Sequence, residues 1–208
     1  MRQVREGLDW NEYEDIRQRL GEQTDNKEKY LDAESWFLRM WKQARRLDLQ
    51  RLPPQHILDL GTGPGHFPYV CSALGHDAWG LDRPGTPAYE ALTKWMGVRV
   101  VPHKIQAQTR LPVFPARFDL VTAFRIGFNS KGHQGRFILF DLDDWGYFLD
   151  DLRDNVLTPG GRVALKMTGA QGDYTGLKFG DPPLMDYFES RGAVIDREDF
   201  FIRFDALR

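Results

Sequence analysis

The chain has 208 residues, 41% hydrophobic and 28% charged, with a formal net charge of −2. That composition supports one good core and is too apolar for disorder; it lacks the basic surplus a protein gripping long nucleic acid usually carries. No stretch approaches the roughly 18 apolar residues of a membrane span, Met1–Glu6 holds no apolar signal core, and Cys71 has no cysteine to pair with, so a cytoplasmic protein with a small-molecule partner is expected.

The first 50 residues read as helical. Trp10, Tyr13, Ile16 and Leu20 recur at helical spacing, and Phe37, Met40, Trp41, Ala44 and Leu47 do so again. Asp25-Asn26 marks a break between the two stripes, and Pro53-Pro54 ends the second. From Gln55 onward strands alternate with helices. His56–Leu60 is a short apolar strand, followed by a glycine-rich turn and a helix over 66–74 that Gly75 closes. Ala78–Leu81 is a second strand ending at Asp82. Thr86 then caps a helix with Pro87 in its first turn, running to about Met96. Val98–Val101 and Phe118–Phe124 are strands three and four. Leu142, Trp145, Phe148, Leu149, Leu152 and Val156 form a helical stripe. Thr158-Pro159-Gly160-Gly161 turns into strand five, Arg162–Met167, and Asp181-Pro182 opens another helix to about Arg191. Ala193–Ile195 and Phe200–Phe204 close the chain as strands six and seven. Apolar strands alternating with helices imply a parallel sheet buried on both faces, with an antiparallel strand added by the final hairpin.

The chemistry lies in the first turn of this unit, Asp59-Leu60-Gly61-Thr62-Gly63-Pro64-Gly65. Glycines there allow positive φ and close backbone approach, and in open α/β sheets ligands sit beyond the carboxyl ends of the strands. A dinucleotide fingerprint reads G-x-G-x-x-G. Here the third glycine falls one residue early and an acid, Asp59, stands two residues before the first. Asp82, at the end of strand two, is an acceptor-only carboxylate suited to a pair of sugar hydroxyls. A solvated loop acid or a helix-cap partner is the alternative reading of Asp82.

The acid followed by G-x-G-x-G resembles the first motif of class I S-adenosylmethionine-dependent methyltransferases. Leu111-Pro112-Val113-Phe114-Pro115-Ala116-Arg117-Phe118-Asp119-Leu120-Val121 and Leu157-Thr158-Pro159-Gly160-Gly161 are similar to the family's entries into strands four and five. The resemblance covers roughly residues 55–168. It implies a Rossmann-like seven-stranded sheet in the order 3-2-1-4-5-7-6, the last strand antiparallel, with helices on both faces and an N-terminal helical extension. It implies S-adenosylmethionine as cofactor, with Asp59, Gly61, Gly63 and Gly65 cradling its methionine and ribose part and Asp82 on the ribose. Many members carry an Asp just before strand four that meets the adenine amino group. This chain has Ile105-Gln106-Ala107-Gln108 instead, and Gln106 is the candidate substitute, with Gln108 close behind. The expected division is a helical segment over 1–52, a possible lid, and a cofactor-binding domain over 53–208.

Methyl transfer relies on positioning, so no fixed catalytic residue is required and none stands out. The run after strand four, Phe124 to Phe137, passes the reactive end in this family, and Arg125 and Asn129 are the candidate substrate contacts. An Arg pairing with Asp141, Asp143 or Asp144 is the competing reading. His66 reads as a helix N-terminal residue, His76, His103 and His133 as structural or surface, and Cys71 as core. Trp36, Phe37 and Trp41 are expected to pack against the sheet domain, with a substrate cage as the alternative. The leading function is methylation of a small molecule. The alternatives are an RNA or protein methyltransferase on the same core, an NAD(P)-dependent oxidoreductase, which the glycine spacing disfavours, and a non-catalytic cofactor-binding module.

Overall fold

A computed structural model describes residues 2–21, 28–125, 127–133, 136–168 and 174–208. The expected break at Asp25-Asn26 lies outside the described residues. Seven strands form one sheet in the order β3-β2-β1-β4-β7-β10-β9, where β1 is His56–Leu60, β2 Asp77–Asp82, β3 Arg99–Pro102, β4 Phe118–Phe124, β7 Leu157–Lys166, β9 Ala193–Asp196 and β10 Phe201–Phe204. Counting only these seven, the order is 3-2-1-4-5-7-6, as the sequence implies. The penultimate position in space belongs to β10, antiparallel to both β7 and β9. The chain divides into two compact units, 1–102 and 103–208.

In the first unit β1, β2 and β3 pair in parallel, Ile57 opposite Ala78 and Leu81 opposite Val101. Parallel neighbours need crossovers, and α4 (His66–Ala73) and α5 (Pro87–Trp95) supply them. Ile57, Leu58, Leu60 and Leu81 are at most 1% exposed, because the sheet is covered on both faces. Gly75 takes φ +93 just past α4, the left-handed stop the sequence suggests. The N-terminal helices α1 (Arg2–Arg5), α2 (Trp10–Gly21) and α3 (Ala33–Arg46) dock on α4 and α5. Tyr69 Oη donates to Val4 O at 2.9 Å, and Trp95 Nε1 to Asp9 O at 2.7 Å. His76 is structural: Gln55 N donates to its Nδ1, which leaves Nε2–H to donate to Leu49 O.

In the second unit β4 pairs in parallel with β7, and Trp145, on α6 (Leu142–Asp151), packs edge-on against Phe140, Phe148 and Phe188, the last from α7 (Pro182–Ser190). Three features were not legible in the sequence. The stripe through Val156 is not one α-helix: it passes into a π-helical turn, Leu152–Val156. Strand five begins at Leu157, not Arg162, and Thr158–Gly161 is an irregularity within it, Phe118 facing Leu157 and Leu120 already facing Arg162. A second small sheet joins β5 (Ser130–His133), β6 (Arg136–Leu139) and β8 (Tyr174–Thr175) in the order β5-β6-β8. No described helix is long and apolar enough to cross a membrane.

Candidate functional site

The glycine turn leaves β1 and is tied at once to the end of β2. Gly61 N and Thr62 N both donate to Leu81 O, at 2.8 and 3.2 Å. Gly63 N donates to Asp82 Oδ2 at 2.5 Å, and Arg83 N to Asp82 Oδ1 at 2.7 Å. Asp82 therefore clamps the turn, and each carboxylate oxygen keeps a further lone-pair site. Asp59, 3% exposed, sits opposite Gly80 in the ladder. Gly61, Gly63 and Gly65 take φ of +66, +57 and +82, the left-handed region that glycine enters without strain. Their surroundings differ. A Cβ on Gly65 would lie 2.9 Å from Thr93 Cγ2, so this glycine serves close packing; a Cβ on Gly63 would meet only the Tyr89 ring, at 3.8 Å.

The turn runs into α4 with no side chain capping the helix. Gly65 is the N-cap, no cap hydrogen bond is made, and no acid stands in the first turn. The first helical residue, His66, is 3% exposed, and its Nε2 has no hydrogen-bond partner among the described residues. Burial pushes its pKa down from 6.5 to about 3, so the imidazole is neutral. Trp36 stacks on this ring at 5.8 Å with an interplanar angle of 8°, and Phe37 meets it edge-on. Trp36 also touches Tyr30, and Tyr30 meets Tyr89 at 5.4 Å, edge to face, while the two phenols share a hydrogen bond. Burial and the neighbouring Tyr30 push the Tyr89 phenol upward. An arc of rings thus runs from His66 through Trp36 and Tyr30 to Tyr89, and both of its ends lie on the glycine turn. The sequence offers Trp36 as helical packing or as part of a substrate cage but does not reveal the stack on His66, which lies 30 residues further along the chain. Cys71 is fully buried beside Asp59, and burial followed by that charge pushes its thiol up, which removes it as a nucleophile.

In the second unit Gln106 is exposed on the stretch between β3 and β4. Gln108, the close alternative, is committed elsewhere: its Nε2 donates to Asp144 Oδ1 at 3.1 Å, from a backbone at φ +50. Asp144 is fully buried. It completes a reciprocal capping box with Asp141 at the start of α6 and pairs with Lys131 Nζ. One heptad along the helix, Asp151 Oδ2 accepts from Leu111 N at 2.8 Å. Two buried acids of α6 therefore clamp the stretch that carries Gln106, a role spacing alone does not reveal. The cation paired to Asp141 and Asp144 is Lys131, not an arginine. Arg125 follows β4 directly, exposed at φ +56, its N donating to Lys166 O at 2.7 Å. No acid pairs with it among the described residues. Asn129 is 8% exposed and its carbonyl accepts from Phe140 N. Among the described residues no group of three or more His, Cys, Asp or Glu is placed to hold a metal ion.

No family model matches the sequence, and no curated protein sequence matches it. Solved structures do resemble it. The glycopeptide N-methyltransferase MtfA superposes with a TM-score of 0.52 over 81% of this chain and 88% of that one, at 13% identity. The fold is that of the S-adenosylmethionine-dependent methyltransferases. An amino pentose methyltransferase of Micromonospora echinaspora, solved with S-adenosylmethionine, is 23% identical over 64% of this chain, with a TM-score of 0.46. The chain spans about half the length of that enzyme, 51%. The methylase of ribosomal protein L11 from Lactobacillus delbrueckii is 19% identical over 78% of this chain and 75% of its own, with a TM-score of 0.45.

The turn suits the cofactor of that fold class on its own geometry. A half-exposed Gly63 leaves backbone open, Asp82 keeps acceptor sites at the end of β2, and His66 Nε2, buried beside the turn, has no hydrogen-bond partner among the described residues. Nearly all buried polar groups are hydrogen-bonded, so such an atom calls for a ligand or water.

Proposed function

We propose that the chain is an S-adenosylmethionine-dependent methyltransferase acting on a small-molecule acceptor. The observation that supports this best is the hydrogen bond from Gly63 N to Asp82, which joins a G-x-G-x-G turn to an acid at the end of the next strand. The cofactor, when bound, supplies a methyl group already activated on a sulfonium. The chain then has to bind, orient and exclude water, and holding two reactants in place can supply much of the rate. In this reading Asp59, Gly61, Gly63 and Gly65 form the cradle, and Asp82 accepts from the ribose hydroxyls while steadying the turn. The N-terminal segment, 1–52, walls the turn with Tyr30 and Trp36, so it belongs with the cofactor as much as with the acceptor. In the second unit Gln106 is assigned to the adenine, because Gln108 is held by Asp144, and Arg125 and Asn129 to the acceptor.

Isothermal titration with S-adenosylhomocysteine tests the assignment without knowledge of the acceptor. Asp82→Ala removes a charged acceptor, each such hydrogen bond being worth about 1.5–3 kcal/mol. Affinity should fall by roughly tenfold or more. Arg125→Ala and Asn129→Ala should leave that affinity nearly unchanged and lower turnover once an acceptor is in hand. Unchanged binding in Asp82→Ala would remove the ribose assignment.

A further inference from the structure

The first unit holds a recess that the glycine turn does not line. Helix α2 and the start of α3 enclose a cavity of about 760 Å³, whose walls include Trp10, Tyr13, Glu14, Arg17, Asp32 and Glu34. The first four fall at i, i+3, i+4 and i+7 on α2, one face of the helix. A volume of this size is that of a small-molecule site, not of a packing gap. Tyr13 fixes the walls against each other: it is 6% exposed, donates through Oη to Leu31 O and accepts from Ala33 N at 3.2 Å. Trp10 meets the Tyr13 ring edge-on at 5.4 Å, and Tyr13 stacks on Trp95 of α5 at 4.9 Å. The charge is one-sided. Three carboxylates, Glu14, Asp32 and Glu34, stand against one guanidinium, Arg17, which already pairs with Glu14 at 3.6 Å. Aromatic faces are negative as well, so neither the rings nor the acids favour an anion.

The protein seats one cation on these walls itself. The Arg5 guanidinium lies over Trp10, 5.5 Å from the ring centroid, and its Nη2 pairs with Glu34 Oε1 at 2.7 Å. Both partners line the cavity, so a ring and a carboxylate already form a receptor for a planar cation. The hold on Arg5 is light. Its side chain and that of Glu34 are each 58% exposed, where an ion pair contributes little. We propose that the cavity binds a small molecule carrying a guanidinium group, which takes the place of Arg5 over Trp10 and against Glu34. Arg5 is then an internal occupant that competes with the ligand, and the rest of the cavity receives the body of the molecule. The proposal stands whatever cofactor the glycine turn takes.

N-Butylguanidinium is the probe, and N-butylurea, of the same shape without the charge, is its control. Both are titrated into the full chain at constant ionic strength, because exposed pairs are screened by salt. The readout is the indole N–H resonance of Trp10, with that of Trp36, which does not line the cavity, as reference. N-Butylguanidinium should shift the Trp10 resonance with a Kd of about 1–10 mM, within reach of so small a fragment. N-Butylurea should shift it far less, and Trp36 should stay in place. Arg5→Gln removes the occupant and leaves Glu34, so it should tighten binding roughly threefold or more; Glu34→Gln should weaken it by a similar factor. Both substitutions fall on exposed side chains, which keeps the fold out of the comparison. Four results would each overturn the proposal. A Trp10 resonance unmoved at tens of millimolar probe leaves the cavity to water. An equal response to N-butylurea makes it a pocket for apolar groups. A Trp36 shift as large as that of Trp10 shows general stacking on rings. An affinity unchanged by Arg5→Gln or by Glu34→Gln shows that the cation sits elsewhere.

Discussion

His66 is held neutral by burial, its pKa lowered to about 3 against an ordinary 6.5. The unfolded chain therefore binds the proton more tightly than the folded one between those values. This contribution to stability is fully present above pH 6.5 and is lost as pH falls toward 3, by up to about 1.4 kcal/mol per unit. Replacing the ring by Phe abolishes that loss and removes an unsatisfied polar atom. Urea melts should find His66→Phe at least as stable as the wild type at pH 7, and more stable than it by about 2 kcal/mol at pH 5. A constant difference between the two pH values would show that the imidazole titrates normally. Asp82 should differ, because it also holds Gly63 and Arg83: Asp82→Ala is expected to cost both affinity and stability.

At the scale of elements, the join between β1 and β2 leaves no room for a side chain at Gly80. A Cβ there would lie 2.5 Å from Thr62 Cγ2. Overpacking of this kind costs about 1–3 kcal/mol, so Gly80→Ala should lower Tm, and adding Thr62→Ser should recover part of it by removing the methyl. An unchanged Tm in Gly80→Ala would mean the turn shifts freely and is not held by Leu81 and Asp82. Helix α6 offers the second case. Asp144→Ala breaks a capping box and frees Gln108 and Lys131, a loss of about 2 kcal/mol or more, or roughly 4–8 °C in a chain of this size. The sequence made the strands and most helix ends visible, because apolar runs and local signals such as Thr86-Pro87 and Gly75 act within a few residues. His56–Leu60 and Phe118–Phe124 stand where their composition puts them. The clamp of Gln108 by Asp144 spans 36 residues, and the stack of Trp36 on His66 spans 30, so neither leaves a local pattern. The strands of the small sheet were hidden for a different reason: Gly132 and the short, polar run Ser130–His133 lack the apolar alternation that announces a strand.

For the whole molecule, the fold is shared with methyltransferases, and an open α/β sheet of this kind also carries other cofactors, so the fold alone does not choose among them. What favours the adenosyl cofactor is the turn, an acid two residues ahead of G-x-G-x-G with Gly63 tied to Asp82. The near-neutral net charge of −2 accords with a small acceptor. The most direct test is thermal unfolding of the full chain with S-adenosylhomocysteine, S-adenosylmethionine, NADH and NADPH in parallel. A ligand at a hundred times its Kd adds about 2.7 kcal/mol, which for a chain of this length is a rise of roughly 5–10 °C. The adenosyl ligands should produce that rise and the nicotinamide nucleotides should not. A rise with NADH or NADPH and none with S-adenosylhomocysteine would contradict the account.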